Sequence, residues 1–111
     1  MGFGITGKSK DFGKLLLDSI DEALLSLGEL ALQSVYFHIE KNFAVKPEEI
    51  PGNLEHFQLA LEKIFGIGSR FIEILIMKNL YAKIGRPLHI ENNKHLEFIK
   101  YVEAARKNFQ A

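Results

Sequence analysis

The chain has 111 residues, 47% of them hydrophobic, with 14 Lys and Arg balanced by 14 Asp and Glu. That is the length of one ordinary domain, and 39 Ile, Leu, Val and Phe residues exclude an intrinsically disordered chain. Charge balance excludes a uniformly cationic nucleic-acid or membrane binder, and the lack of cysteine excludes a disulfide framework, a thiolate metal site and a cysteine nucleophile.

Residues 1–10 read as a flexible tail and 11–111 as a single helical domain. The tail, MGFGITGKSK, holds no apolar stretch of signal-peptide length. The longest apolar runs are four residues, Ile74 to Met77 being one, far below a membrane span. The expected compartment is the cytoplasm, with no membrane partner.

From Asp11 to Leu25 apolar residues recur at helical spacing. Phe12, Leu16, Ile20, Ala23, Leu24 and Leu27 share one face, opposite Lys14, Asp18, Asp21 and Glu22. Ser26 and Glu29 have capping-box spacing, which predicts a break and a second helix running to Phe43. That helix directs Leu32, Val35, Tyr36, Ile39 and Phe43 to the core. It also carries Leu30 and Phe37 about 140–160° away. Two apolar faces on one helix predict burial on both sides or an exposed docking patch.

Pro47-Glu48-Glu49-Ile50-Pro51-Gly52 predicts a short helix with proline and acid in its first turn. Asn53 is the expected cap of a third helix over 54–65, with Phe57, Ala60, Leu61 and Ile64 inward. After Gly66-Ile67-Gly68, Ser69 is the expected cap of a fourth helix ending near Ile84, with Gly85 in the C′ position. This helix is apolar nearly all round, which predicts a central element packed around much of its circumference. A last helix is expected from Asn92 or Asn93 to Phe109, with Phe98, Ile99, Val102, Ala105 and Phe109 inward. A rival reading turns Asn92-Asn93 into a small β-hairpin near 88–98. The expected fold is therefore all-α, a compact bundle of about five helices with its centre near 69–84.

Motifs of catalysis are sparse. His38, His56, His89 and His95 lack metalloprotease spacing; His89 and His95 with Glu91 and Glu97 are a weak metal set against the plainer reading of solvated polar residues. His38 reads as a satisfied boundary histidine, since no serine or aspartate constellation accompanies it. Gly66 to Arg70 offers amides at a helix start, but the preceding segment is helical and the lysine of a phosphate loop is missing, so a tight helix–helix turn is the simpler account. Glu48-Glu49 reads as a complement to a helix dipole. No catalytic residue, metal or cofactor is expected, and the chain is read as non-enzymatic.

Charge is polarised along the sequence. Residues 11–62 hold ten acidic and three basic residues, whereas 63–111 hold nine basic and four acidic. Lys78, Lys83, Arg86, Lys100, Arg106 and Lys107 are the candidate anion-binding residues. The competing account is that the two halves fold together and largely compensate.

Tyr36-Phe37-His38-Ile39-Glu40-Lys41, Pro47-Glu48-Glu49-Ile50-Pro51, Ala60-Leu61-Glu62-Lys63-Ile64-Phe65-Gly66, Ile72-Glu73, Leu80-Tyr81 and Tyr101-Val102-Glu103-Ala104-Ala105 follow in that order. In this order the sequence resembles an archaeal family of small domains, the Nitrososphaera output domains, over Ser19 to Phe109. The resemblance implies a cytoplasmic domain linked to signal output, with no established chemistry and no catalytic motif to carry over. Any link to signalling is then expected to be made in trans.

The expected function is a regulatory interaction domain acting through protein–protein contacts, as a homodimer or with a protein partner. Leu25, Leu30, Ser34 and Phe37 form the candidate partner face, with Ser34 small enough to allow close approach. A helical or winged nucleic-acid-binding domain is the alternative from another class, not favoured because only the last helix suits a groove. A small-molecule sensor with an apolar pocket between helices is the third.

Overall fold

The computed structural model describes residues 8–90 and 97–110. Five α-helices follow in order: α1 Lys8–Leu25, α2 Glu29–Phe43, α3 Leu54–Phe65, α4 Ser69–Lys83 and α5 Phe98–Gln110. Two short 3-10 turns, Pro47–Gly52 and Gly66–Gly68, join α2 to α3 and α3 to α4. There is no strand among the described residues. The fold is the all-α bundle expected.

The helix boundaries follow the glycines and prolines. Helix α4 ends in a left-handed turn at Gly85, φ 70°, where the Gly85 amide donates to Ala82 O at 3.2 Å and the Arg86 amide to Tyr81 O at 3.0 Å. This is the Schellman closure, and the positive φ suits glycine. Helix α1 begins at Lys8, so residues 8–10 belong to a helix and not to a tail; residues 1–7 lie outside the described residues. The proposed hairpin turn at Asn92-Asn93 also lies outside them. Of its flanks, Leu88 to Ile90 are irregular and Phe98 is already in α5, so the second strand does not reach Phe98. Helix α5 starts at Phe98, with Glu97 outside it, later than the asparagine cap suggests.

The expected side-chain caps do not form. Ser26 Oγ donates to Ala23 O at 2.6 Å instead of capping α2, whose N-cap is Gly28. Asn53 Nδ2 donates to Glu49 O at 2.8 Å, closing the 3-10 turn behind it. Ser69 lies inside α4 and is buried. These short polar side chains have backbone acceptors or buried positions nearby, and those compete with the cap. Half of a capping box forms one element on, where the Lys46 amide donates to Glu49 Oε1 at 2.9 Å; the Glu49 amide donates to the Lys46 backbone carbonyl at 2.8 Å, since a lysine side chain has no acceptor.

The core is one cluster drawn from all five helices. Phe12, Leu16, Ile20 and Leu24 of α1 meet Ile76, Met77 and Leu80 of α4, with Phe57 and Leu61 of α3 and Phe98 and Val102 of α5 closing the ends. The α1–α4 pair is the most extensive helix contact. A salt bridge fastens it, with Lys83 Nζ 2.7 Å from Glu22, while the Tyr36 hydroxyl donates to Asp21 and ties α2 to α1. Arg106 ties α5 down, donating to Pro51 O at 3.0 Å while its guanidinium lies over the Phe12 ring.

Helix α4 is central, but neighbours cover only about half of it. Ile72, Glu73, Ile76, Met77, Leu80 and Tyr81 form one broad buried stripe, while Phe71, Lys78 and Ala82 on the other side are exposed. Its apolar circumference therefore does not imply burial all round. Leu27, expected in the α1 core face, is exposed as well, because α1 ends at Leu25.

Helix α2 ends with Ala44 in the left-handed region, φ 56°, the only described non-glycine residue with positive φ. That conformation costs an L-residue about 1–2 kcal/mol. Ala44 is exposed, so Ala44→Gly is expected to stabilise the fold by about 0.5–1 kcal/mol after the extra freedom of unfolded glycine is subtracted. Urea unfolding checks this; a net loss would show that the methyl group makes contacts outweighing the strain.

Candidate interaction surface

The second face of α2 is open. Leu30 is 77% and Phe37 66% exposed, and Ser34 between them is exposed too. Leu25 and Leu27, at the turn leading into α2, are about half exposed. At 100° per residue Leu30, Ser34, Phe37 and Lys41 fall within about 60° of one another. The Lys41 ammonium lies 5.5 Å from the Phe37 ring centroid, so the seam ends in a cation–π contact. The opposite face of α2 is occupied: Val35 and Ile39 are fully buried, and Leu32, Tyr36 and Phe43 pack on the core. Sequence periodicity thus identified both faces of α2, although it placed Leu27 on the core face of α1, where it is instead about half exposed.

A second exposed apolar pair, Ile67 and Phe71, stands at the α3–α4 corner. Periodicity hid it, because nothing in an all-apolar helix says which half lacks a neighbour. Over Gly66–Gly68, the start of the segment weighed as a phosphate loop, the chain makes a tight 3-10 turn between the two helices. Gly66 there has φ 59° and ψ −132°, outside the basins open to other residues.

Three of the six candidate anion-binding residues are engaged by carboxylates. Lys83 is paired with Glu22, Lys100 with Glu97 at 2.9 Å, and Arg106 with Glu103 at 3.0 Å. Lys107 is exposed on α5. Lys78 and Arg86 both line an open groove, together with Tyr81, Leu88 and Ile90. Of these three bridges Lys83–Glu22 joins the two halves of the sequence, whereas the Lys100 and Arg106 pairs lie within the basic half.

The titratable groups look structural. Glu73 is buried in α4 and accepts from Gln58 Nε2 at 3.2 Å. Burial raises its pKa, and the Glu62 charge adds to this, while the Gln58 bond and Arg70 oppose it. The hydroxyl of Tyr36 is pushed up first by burial and then by its bond to the Asp21 carboxylate. Tyr81, also raised by burial, donates to Tyr101 O at 2.7 Å and so ties α4 to α5. His38 is half buried beside Asn42, 3.1 Å away, and His56 stacks on Phe43 with ring centroids 4.6 Å apart. His95 and Glu91 lie outside the described residues, and among those described no three His, Asp or Glu side chains are grouped to hold a metal ion.

Glu73 makes a pH dependence testable. Its native pKa lies above the unfolded value, so the stability associated with its bound proton is full below about pH 4, near the ordinary glutamate value. That stability is lost as pH rises through the native pKa. Glu73→Gln keeps an acceptor for Gln58 and removes the ionisation. It is expected to raise stability at pH 7 by on the order of 1 kcal/mol and to change it little at acid pH. Equal effects at both pH values would place the charge in a solvated setting.

No protein-family model, curated protein or solved structure matches the chain. No helix among the described residues is long and apolar enough to cross a membrane.

Proposed function

We propose that this is a non-enzymatic interaction domain of the signal-output type, acting through protein contacts and self-associating through the exposed seam of α2. One observation carries the reading: Leu30 and Phe37, seven residues apart, are both mostly exposed on a helix whose other face already fills the core. The seam suits a second copy of itself. In an antiparallel pair centred near Ser34, Leu30 of each copy meets Phe37 of the other, the reciprocal pattern a two-fold axis requires. Glu29 at one end of α2 and Lys41 at the other are then brought toward each other across the axis. Ser34 at the crossing lets the backbones approach. Burying each Leu or Phe contributes roughly 1.5–3 kcal/mol before the costs of association.

The nucleic-acid alternative draws little from the geometry, since three of its six cations are engaged by carboxylates. Sedimentation equilibrium of the wild-type chain tests the proposal and is expected to show a monomer–dimer equilibrium. A protein still monomeric at about 0.1 mM, where an interface worth less than about 5.5 kcal/mol stays open, overturns it.

A further inference from the structure

The uncovered half of α4 forms one wall of a groove of about 450 Å³, lined by Ile74, Lys78, Tyr81, Ala82, Arg86, Leu88 and Ile90. Its volume falls in the range of roughly 300–1,000 Å³ typical of small-molecule sites. The floor is aliphatic and aromatic, and two cations stand at it. Neither the Lys78 ammonium nor the Arg86 guanidinium has an acidic partner among the described residues, whereas Lys83, Lys100 and Arg106 do. Tyr81 gives its hydroxyl proton to Tyr101 O, and the Tyr81 and Ala82 carbonyls accept from the Arg86 and Gly85 amides. The negative end of the helix is thereby closed by its own backbone, which reduces its repulsion of an anion at this place.

We infer that this groove binds a small organic anion with an apolar body, its carboxylate held between Lys78 and Arg86 and its chain laid on Ile74, Ala82, Leu88 and Ile90. Arginine offers a planar fork to a carboxylate and lysine a point charge, so the pair fixes one end of the ligand. The apolar floor supplies the rest by burial. The site is independent of the α2 seam, which lies on other residues.

Octanoate is a suitable probe, titrated into the full chain and followed by amide chemical shifts. Saturable shifts are expected at Ile74, Ala82 and Leu88, and they should persist in Phe37→Glu, which separates this site from self-association. Octanol, with the same body and no charge, and acetate, with the charge and almost no body, are each expected to bind at least about tenfold more weakly. Lys78→Gln and Arg86→Gln should each weaken octanoate about tenfold, a charge-assisted hydrogen bond's share. Both side chains are exposed, so these variants should keep the fold. Ala82→Leu, which fills the floor from an exposed position, should weaken octanoate and octanol alike. Octanol binding as well as octanoate, shifts that never saturate, or unchanged affinity in both charge variants would overturn the assignment.

Discussion

Leu80→Ala is expected to lower the stability of the domain by about 2–5 kcal/mol, measured by urea unfolding. Leu80 is fully buried in the half of α4 that faces α1, where the helix pair is most extensive. Truncation removes several methyl and methylene groups from contact and leaves a void. Its surroundings collapse poorly, since α1, α3 and α5 all anchor to the same helix. Marginal domains have only about 5–15 kcal/mol in total, so the variant should stand near its unfolding transition. A loss below about 1 kcal/mol would mean that Leu80 lies outside the close-packed core.

Phe37→Glu should abolish self-association while leaving the fold intact. A two-fold interface places each residue in it twice, so one substitution removes two contacts. At about 2 kcal/mol for each aromatic anchor the dissociation constant should rise about a thousandfold. Helical circular dichroism should be unchanged, because the Phe37 ring is mostly in solvent, with the Lys41 ammonium over it. Sedimentation equilibrium on wild type and variant reads both effects. An unfolded variant would put the seam in the core, and a variant that dimerises as the wild type does would put the interface elsewhere.

Helix number and most boundaries were legible because glycine and proline mark them. Pro47, Pro51, Gly66 and Gly85 each stand where a helix stops or turns. Caps were not legible: Ser26 and Asn53 each had a backbone carbonyl within reach, and spacing along the chain cannot rank those acceptors. The two faces of α2 could be read from their angular separation alone. The open half of α4 could not, since burial depends on which neighbours arrive, and Phe71 and Ile76 are alike as residues in a pattern. The same limit applies to charge. The Lys83–Glu22 bridge joins residues 61 positions apart, so no local count could separate Lys83 from Lys78, which is left to the groove.

The pairing of α1 with α4 bears on how quickly the chain can find its fold. Asn79 Nδ2 approaches Ser19 O across 60 positions of sequence, with α2, α3 and both 3-10 turns strung between. A bundle that paired its helices in chain order would gain burial with each short loop it closed. Here the largest apolar surfaces meet only after the whole intervening segment has been gathered, so loop entropy is spent before most of the burial is gained. The domain should fold more slowly than up-and-down bundles of its size, as the non-locality of its central contact requires.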